Sequence, residues 1–171
     1  MSSKFLAIDP GTTESAYVVL DGKTILDKGL KSNDWVLTFV KNVHGLFGVE
    51  DLVIEMIASQ GMPVGEETFE TVFWIGRFFE SFEGRRHRIL RADVKLHLCS
   101  SPRAKDSNIR QSLIDIYGGS AQTKSGGALH GVASDIWQAL AVGITWYETG
   151  KQSSSRILAL EERRAKERKH G

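Results

Sequence analysis

Short apolar runs alternate along this chain with longer stretches that carry apolar residues at helical spacing. The short runs are typical of buried strands, and the hairpin signal Asp21-Gly22 joins two of them. The predicted strands cover residues 4–9, 15–20, 23–30, 51–55 and 88–91. Asn33 is predicted to cap the first helix, and later helices are predicted at about 66–83, 92–98, 106–117 and 132–147.

The order of these elements predicts the fold class. Three meandering strands come first and β/α units follow, so we expect an α/β fold with a mixed five-stranded sheet. Its antiparallel strands precede its parallel strands, and helices cover both faces. Residues 1–150 are predicted to form one domain, in which the Gly/Ser/Thr/Lys-rich stretch 118–130 is mobile. Residues 151–171 are predicted to be a basic, partly disordered C-terminal tail.

Composition narrows the class of protein. The 171 residues are 41% hydrophobic, which suits one ordinary core, and they contain no apolar run long enough to span a membrane. The N-terminal stretch lacks the pattern of a signal peptide. Cys99 is the only cysteine, which excludes an internal disulfide and a cysteine-cluster zinc site. These features predict a protein of the reducing cytoplasm.

Charge is unevenly distributed, although the net charge is only +1. Residues 151–171 carry seven Lys/Arg against three Glu, and the rest of the chain carries fifteen Lys/Arg against eighteen Asp/Glu. A basic tail on a slightly acidic body suits a polyanionic partner such as DNA. A solvated helical tail that maintains solubility explains the same charges, so charge alone leaves both interpretations open.

Acidic residues stand at the ends of two predicted buried strands. Asp9 ends the first strand and Glu55 ends the strand at 51–55, and ligands of α/β sheets collect outside the carboxyl ends of strands. Two neighbouring carboxylates repel each other unless a cation such as Mg²⁺ joins them. Asp135, in the first turn of the last helix, is the best third acid, although a helix-dipole role explains it singly. Together the three acids predict a site for two-metal phosphodiester hydrolysis.

Several ordered motifs add a family resemblance over roughly residues 4–147. They are Ala7-Ile-Asp-Pro-Gly-Thr-Thr-Glu-Ser-Ala16, Leu52-Val-Ile-Glu55, Gly61-Met-Pro-Val-Gly65, Trp74-Ile-Gly-Arg-Phe78, Lys105-Asp-Ser-Asn-Ile-Arg110 and Gly131-Val-Ala-Ser-Asp-Ile-Trp-Gln-Ala-Leu-Ala-Val-Gly143. The set resembles RuvC-type Holliday junction resolvases, in particular a phage and prophage branch. The resemblance implies an RNase H-like fold, a homodimer, and an endodeoxyribonuclease that depends on Mg²⁺, with Mn²⁺ as a substitute. The expected substrate is four-way or branched DNA. The protein is expected to act in the cytoplasm of a bacterial host cell or to be encoded by a phage.

The resemblance also assigns the metal site. Asp9, Glu55 and Asp135 match the family's metal-binding acids. Many relatives carry a further acid or a His/Asp pair on the last helix, whereas the position three residues after Asp135 is Gln138. Gln138 offers a carbonyl oxygen without a negative charge, which leaves the affinity of the second metal open. His130 does not match the family's histidine, and we interpret it as a loop residue.

Basic and polar residues around the expected site are candidates for DNA contacts. The candidates are Thr12, Met62, Lys95, Arg103, Lys105, Asn108 and Arg110. Lys105 is favoured as a phosphate contact, because it opens a helix that Asp106 or Ser107 can cap and because helix N-termini bind phosphates. Met62 is expected to be either a wedge against base pairs or a dimer contact.

Two other stretches have more than one interpretation. The basic residues of 85–91 suit DNA contact, but a charged, protected edge strand is the favoured interpretation. The helix at about 66–83 carries more aromatic residues than one sheet face needs, so we divide them between the core and a dimer interface. The aromatic residues concerned are Phe69, Phe73, Phe78 and Phe79.

Three alternative functions remain at the level of the sequence. The turn Asp9-Pro-Gly-Thr-Thr13 is similar to the first phosphate loop of actin-like ATPases and sugar kinases, which however enclose the nucleotide with two such domains. Gln138 favours a DNA-junction binder without catalysis. A nuclease for another branched or RNA-containing substrate also fits, because a fold and its acids do not define a substrate.

Overall fold

A computed structural model describes residues 3–58, 61 and 63–149. Its strands are β1 (Lys4–Asp9), β2 (Glu14–Asp21), β3 (Thr24–Ser32), β4 (Asp51–Met56) and β5 (Arg85–Leu90). Its α-helices are α1 (Asn33–Phe47), α2 (Glu66–Ser81), α3 (Arg91–Cys99), α4 (Asp106–Ile116) and α5 (Ile136–Glu148). The tail at 151–171 lies outside the described residues, so its predicted character stays a prediction.

The sheet has the strand order β3-β2-β1-β4-β5, which confirms the predicted mixed sheet. β1 pairs antiparallel with β2 and parallel with β4, and β4 pairs parallel with β5. The antiparallel strands thus come first in the chain and the parallel ones after. β5 lies at an edge of the sheet, as its charged sequence RRHRIL suggested. Because β1 is central and β4 is its parallel neighbour, their carboxyl ends meet at one edge.

Alternating side chains of the central strands build two cores. Leu6 and Ile8 belong to the core shared with α1 and α2, whereas Phe5 and Ala7 belong to the core shared with α4 and α5. This alternation is the two-residue period of a strand with both faces covered. Helices therefore cover both faces of the sheet. Among the described residues, no helix is long and apolar enough to cross a membrane.

A close approach in the core under α5 explains a glycine in that helix. A Cβ at Gly143 would lie 2.5 Å from Leu20 Cδ1 and 3.1 Å from the Cβ of Ala7. Only glycine lets α5 approach β1 and β2 this closely. The start of α5 is consequently set against the carboxyl end of β1, where Asp9 lies.

Two local predictions on helix starts need correction. Ser32, not Asn33, caps α1, because the hydroxyl of Ser32 accepts a hydrogen bond from the Trp35 amide while the Asn33 side chain turns inward. The last helix begins at Ile136 rather than near residue 132, after a residue of positive φ at Ser134. The stretch 118–130 forms turns and a 3₁₀ helix at 120–123 and contains the buried Leu129, while its predicted mobility stays a prediction.

Candidate active site

Asp9 and Glu55 lie side by side at the carboxyl ends of β1 and β4. The parallel register pairs Ala7 with Val53 and Ile8 with Ile54, so its continuation sets Asp9 opposite Glu55. Ala7 and Val53 both face the core under α5, and Asp9 and Glu55 follow them by two residues. Their side chains therefore leave the same face of the sheet. The two strands are thus neighbours, which is the condition for their acids to share one site.

A buried polar network holds the turn that follows Asp9. The amide of Gly11 donates to Ser15 Oγ at 3.2 Å, and Ser15 Oγ donates to Asn33 Oδ1 at 2.6 Å. Asn33 Nδ2 donates a hydrogen bond to the carbonyl of Gly11 at 3.0 Å, and the backbone amide of Asn33 donates to the carbonyl of Thr13 at 2.9 Å. Ser15 and Asn33 are almost completely buried. The network joins β1, β2 and α1, so the position of the turn is defined by three elements.

Burial and neighbouring charge raise the pKa values of the two acids. Burial is the largest cause for Asp9 and, with the charge of Glu55 next, raises the pKa of Asp9 to about 8. Burial also raises the pKa of Glu55, while the nearby charge of Arg91 and its hydrogen bond act in the opposite direction. The surrounding protein groups therefore neutralise the negative charge of the two ionised carboxylates only in part, which is expected of a site that accommodates a cation.

Arg91 forms ion pairs with Glu55 and Asp106, and the sequence patterns did not predict a role for Arg91. An Nη1 atom of Arg91 lies 3.3 Å from Glu55 Oε1, and its Nη2 atom lies 2.7 Å from Asp106 Oδ1. Arg91 directly follows β5, the parallel neighbour of β4. The rule that strand ends collect functional groups, applied to β5 as it was to β1 and β4, would have found it. Asp106 was considered only as a helix cap.

Asp135 contributes charge to the same site from the start of α5. It raises the pKa of Asp9, after burial and Glu55. Its side chain is exposed at the N-cap position of α5 and makes no capping hydrogen bond with the described helix. The helix-dipole role needs no such bond, so it stays the alternative interpretation of Asp135. Gln138 follows three residues later, on the same side of α5 as Asp135. Its buried Oε1 finds no hydrogen-bond partner within the described part of the chain.

These groups can be tested against the divalent cation that the resemblance implies. Among residues 3–58, 61 and 63–149, no three His, Cys, Asp or Glu side chains lie close enough together to form a ready metal site. The pair Asp9 and Glu55 nevertheless fits a hard cation, because a half-buried and a buried carboxylate lie side by side as oxygen donors. The carbonyl oxygen of Gln138, which has no partner among the described residues, is an oxygen donor of the same kind. The role of Asp135 as a third ligand stays a prediction.

Five of the residues proposed for DNA contact lie at three places in the structure. Arg103, Lys105 and Asn108 line one surface depression of about 560 Å³, whereas Lys95 lies near enough to Glu55 to lower the pKa of that residue. The guanidinium of Arg110 stacks over the ring of Trp137 at 5.1 Å and is thereby turned towards α5. Their contacts with DNA stay predictions.

Other predicted residues have local roles or lie outside the described residues. Lys105 is the N-cap residue of α4, and Asp106 and Ser107 lie inside the first turn, so the expected cap by either of them is wrong. Asn108, in the same turn, accepts a hydrogen bond from the Lys105 amide with its Oδ1 at 2.9 Å. Thr12 lies in the turn after Asp9. Met62 is not among the described residues, so the choice between its two suggested roles stays open.

Comparisons with known proteins place this fold. No protein-family model and no curated protein sequence matches the chain. A solved structure of RuvC from Thermus thermophilus matches with a TM-score of 0.66 and 18% identity, over 86% of this chain and 97% of that one. A structure of the same bacterium's RuvC in complex with a Holliday junction substrate matches with a TM-score of 0.65 and 18% identity, over 87% and 95% of the two chains. The chain therefore has the RNase H-like fold seen in RuvC.

Proposed function

We propose that the protein is a structure-selective endonuclease that hydrolyses Holliday junctions or related branched DNA with the help of Mg²⁺ or Mn²⁺. The observation that carries the proposal is the pair of acids at adjacent strand ends of this fold, the half-buried Asp9 and the buried Glu55. A neighbour of the same fold is described as a complex with a Holliday junction substrate, which suggests the class of DNA.

Within this proposal, some residues of the site hold the cation and others position the turn after Asp9. Asp9 and Glu55 would hold the cation, with Asp135 and the carbonyl oxygen of Gln138 as further donors from α5. A cation bound there supplies charge that stabilises the transition state of phosphodiester hydrolysis and lowers the pKa of water. The network of Ser15 and Asn33 keeps the turn after Asp9 in place, so that the carboxylate is oriented before the substrate binds.

The basic surface beside the site would hold the DNA backbone. Lys105 and Arg103 line the same depression at the start of α4, and Lys95 lies on the side of Glu55. Lys105 precedes the first turn of α4, where amide groups and the helix dipole favour phosphate. Such contacts position a duplex without selecting its sequence. Selectivity for a branched substrate would then come from the geometry of two arms rather than from base contacts.

A homodimer is part of the same proposal. Phe69 and Phe73 on α2 are 67% and 58% exposed, while Phe78 on the same helix is buried in the core. This division agrees with the expectation that the aromatic residues serve two surfaces. A two-fold pair of sites is what symmetric nicking of a four-way junction requires. Light scattering after gel filtration should give a dimer, Phe73→Asp should give monomers, and Leu46→Asp on α1 should leave the mass unchanged. A monomeric native protein would refute this part.

The decisive experiment compares substrates. A labelled four-way junction, a linear duplex, a flap and an RNA–DNA hybrid are incubated with the protein in Mg²⁺ and in Mn²⁺. We expect paired, symmetric nicks in the junction only, and none with Asp9→Asn. Asp115→Asn provides a control with the same change of charge, at an exposed position on α4. Cleavage that survives Asp9→Asn would refute the assignment of the site.

A second candidate function is junction binding without cleavage. Gln138 favours it, because an amide replaces an acid on α5, and so does the lack of a ready cluster of three ligands among the described residues. Gel-shift titration of the same four substrates distinguishes the candidates. Tight and selective binding of the junction, with no nicking in either metal, would establish the binder and exclude the nuclease.

A further inference from the structure

Arg91 lies between Glu55, one of the proposed metal-binding acids, and the carboxylate of Asp106. Its guanidinium lies 3.3 Å from Glu55 Oε1 and 2.7 Å from Asp106 Oδ1. The Glu55 side chain is 11% exposed, whereas that of Asp106 is 61% exposed. The guanidinium therefore connects a buried acid inside the site to an exposed acid at its rim, and the contact with the exposed acid is the shorter one.

The fold accounts for this arrangement. β5 pairs with β4 so that Glu55 faces Ile89 and Met56 faces Leu90, and Arg91 is the next residue along. Arg91 begins α3, and Asp106 begins α4, which packs against α3. The bridge thus depends on two helix starts that meet beside the end of β4. Beside it lies a cavity of about 130 Å³, which Glu55 and Arg91 line together.

A guanidinium and a divalent cation compete for the same carboxylate. Each neutralises Glu55, and their like charges repel strongly at distances of a few ångströms in a partly buried site. A planar guanidinium has five N–H donors, so it can leave one carboxylate while it keeps its hydrogen bond to another. Asp106 offers such a second anchor, and the adjoining cavity gives space for the movement.

We propose that Arg91 is the counter-ion of Glu55 in the metal-free protein, and that Asp106 receives Arg91 when a cation binds at Asp9 and Glu55. The inference rests on the proposed function, because it needs the cation at those acids. Arg91 is then a positioning residue that sets cation affinity by competition. Asp106 acts through Arg91, and its carboxylate raises the affinity by drawing the guanidinium away from Glu55.

Cation binding without DNA tests this exchange. Mn²⁺ is titrated into the metal-free protein by isothermal calorimetry. Arg91→Gln removes the competitor, so we expect Mn²⁺ to bind about fivefold more tightly or better. Asp106→Asn leaves Arg91 with Glu55 alone, so binding should weaken by a similar factor. Asp115→Asn, with the same change of charge farther along α4, should stay within about twofold of the native affinity.

The double variant separates exchange from direct ligation. If Asp106 acts through Arg91, Asp106→Asn weakens Mn²⁺ binding much less in the Arg91→Gln background than in the native one. An undiminished effect of Asp106→Asn in that background would mean that Asp106 acts on the cation directly, by its charge or as a ligand, and would overturn the proposal. Tighter binding by Asp106→Asn, or weaker binding by a folded Arg91→Gln variant, would overturn it as well.

A spectroscopic measurement on the native protein does not depend on how the variants fold. The Nε–Hε signal of Arg91, assigned by its loss in Arg91→Lys, is followed by NMR during titration with Mg²⁺. We expect it to shift and to saturate with the cation, and a signal that stays unchanged while Mg²⁺ binds would refute the exchange. A native protein that binds no divalent cation would refute the proposed function too. Native binding and cleavage with unmoved Arg91 would refute the exchange alone.

Discussion

Replacing Asp9 by Asn should remove a large pH dependence from the stability of the metal-free protein. Burial and the charge of Glu55 raise the pKa of Asp9 to about 8 in the folded state, against 3.8 for an unperturbed Asp. Between these values the folded protein keeps a proton that the unfolded chain has released. The free energy of unfolding therefore falls as the pH rises, by up to about 1.4 kcal/mol per pH unit.

The size of the effect can be measured by thermal unfolding in EDTA. From pH 5 to pH 7, Asp9 should lower the free energy of unfolding by at most about 3 kcal/mol, which corresponds to about 5–10 °C in Tm for a domain of this size. Asp9→Asn keeps the shape of the side chain and cannot ionise. Its Tm should fall correspondingly less over the same range. The difference between the two proteins cancels the contributions of all groups that ionise in both.

The stabilisation by an added cation should increase with pH, because a cation binds the ionised carboxylate. Mn²⁺ should raise the Tm of the native protein more at pH 8 than at pH 6, and should have little effect on Asp9→Asn. Equal pH slopes of Tm for the two proteins in EDTA would refute the argument that Asp9 is held protonated by its surroundings. Equal stabilisation by Mn²⁺ would refute its assignment as a ligand.

Three further predictions concern other parts of the molecule. Ser15→Ala removes the hydroxyl that accepts from the Gly11 amide, and urea unfolding should show a loss of about 1–3 kcal/mol. Gly143→Ala should destabilise by about 1–3 kcal/mol, since its Cβ would lie 2.5 Å from a β2 side chain, whereas Gly45→Ala in the open part of α1 should stabilise by up to about 1 kcal/mol; a reversed order would contradict the packing. Lys105→Ala should weaken junction binding and reduce its salt dependence by about one ion, and an unchanged salt slope would exclude a phosphate contact.

Much of the fold was predictable because its signals are local. The apolar runs that became β1 and β4 end in acids followed by loops, and the hairpin turn at Asp21-Gly22 set the antiparallel start of the sheet. Those same local patterns are enough to locate Asp9 and Glu55 at strand ends. Sheet topology then needed only the general preference for β/α units to form parallel pairs.

Element ends were less predictable, since they depend on contacts across the chain. Asn33 has the residue type of a helix cap, and a cap was predicted. In the structure its side chain instead bonds to Ser15 and to the carbonyl of Gly11, and Ser32 caps the helix. A buried polar partner far away in sequence outcompeted the local role.

The sequence by itself determined the fold class and two of the acids, because strand periodicity and turn residues act over a few positions. Tertiary structure alone decided which charges surround those acids. Arg91 is 36 residues from Glu55 and 15 from Asp106, and their bridge exists because α3 and α4 both begin beside the end of β4. Burial, which raises the pKa of Asp9 and leaves the carbonyl oxygen of Gln138 without a partner among the described residues, likewise arises only when α5 packs on the sheet. Electrostatic energy depends on distance and on exclusion of water, and neither quantity is written in the order of residues.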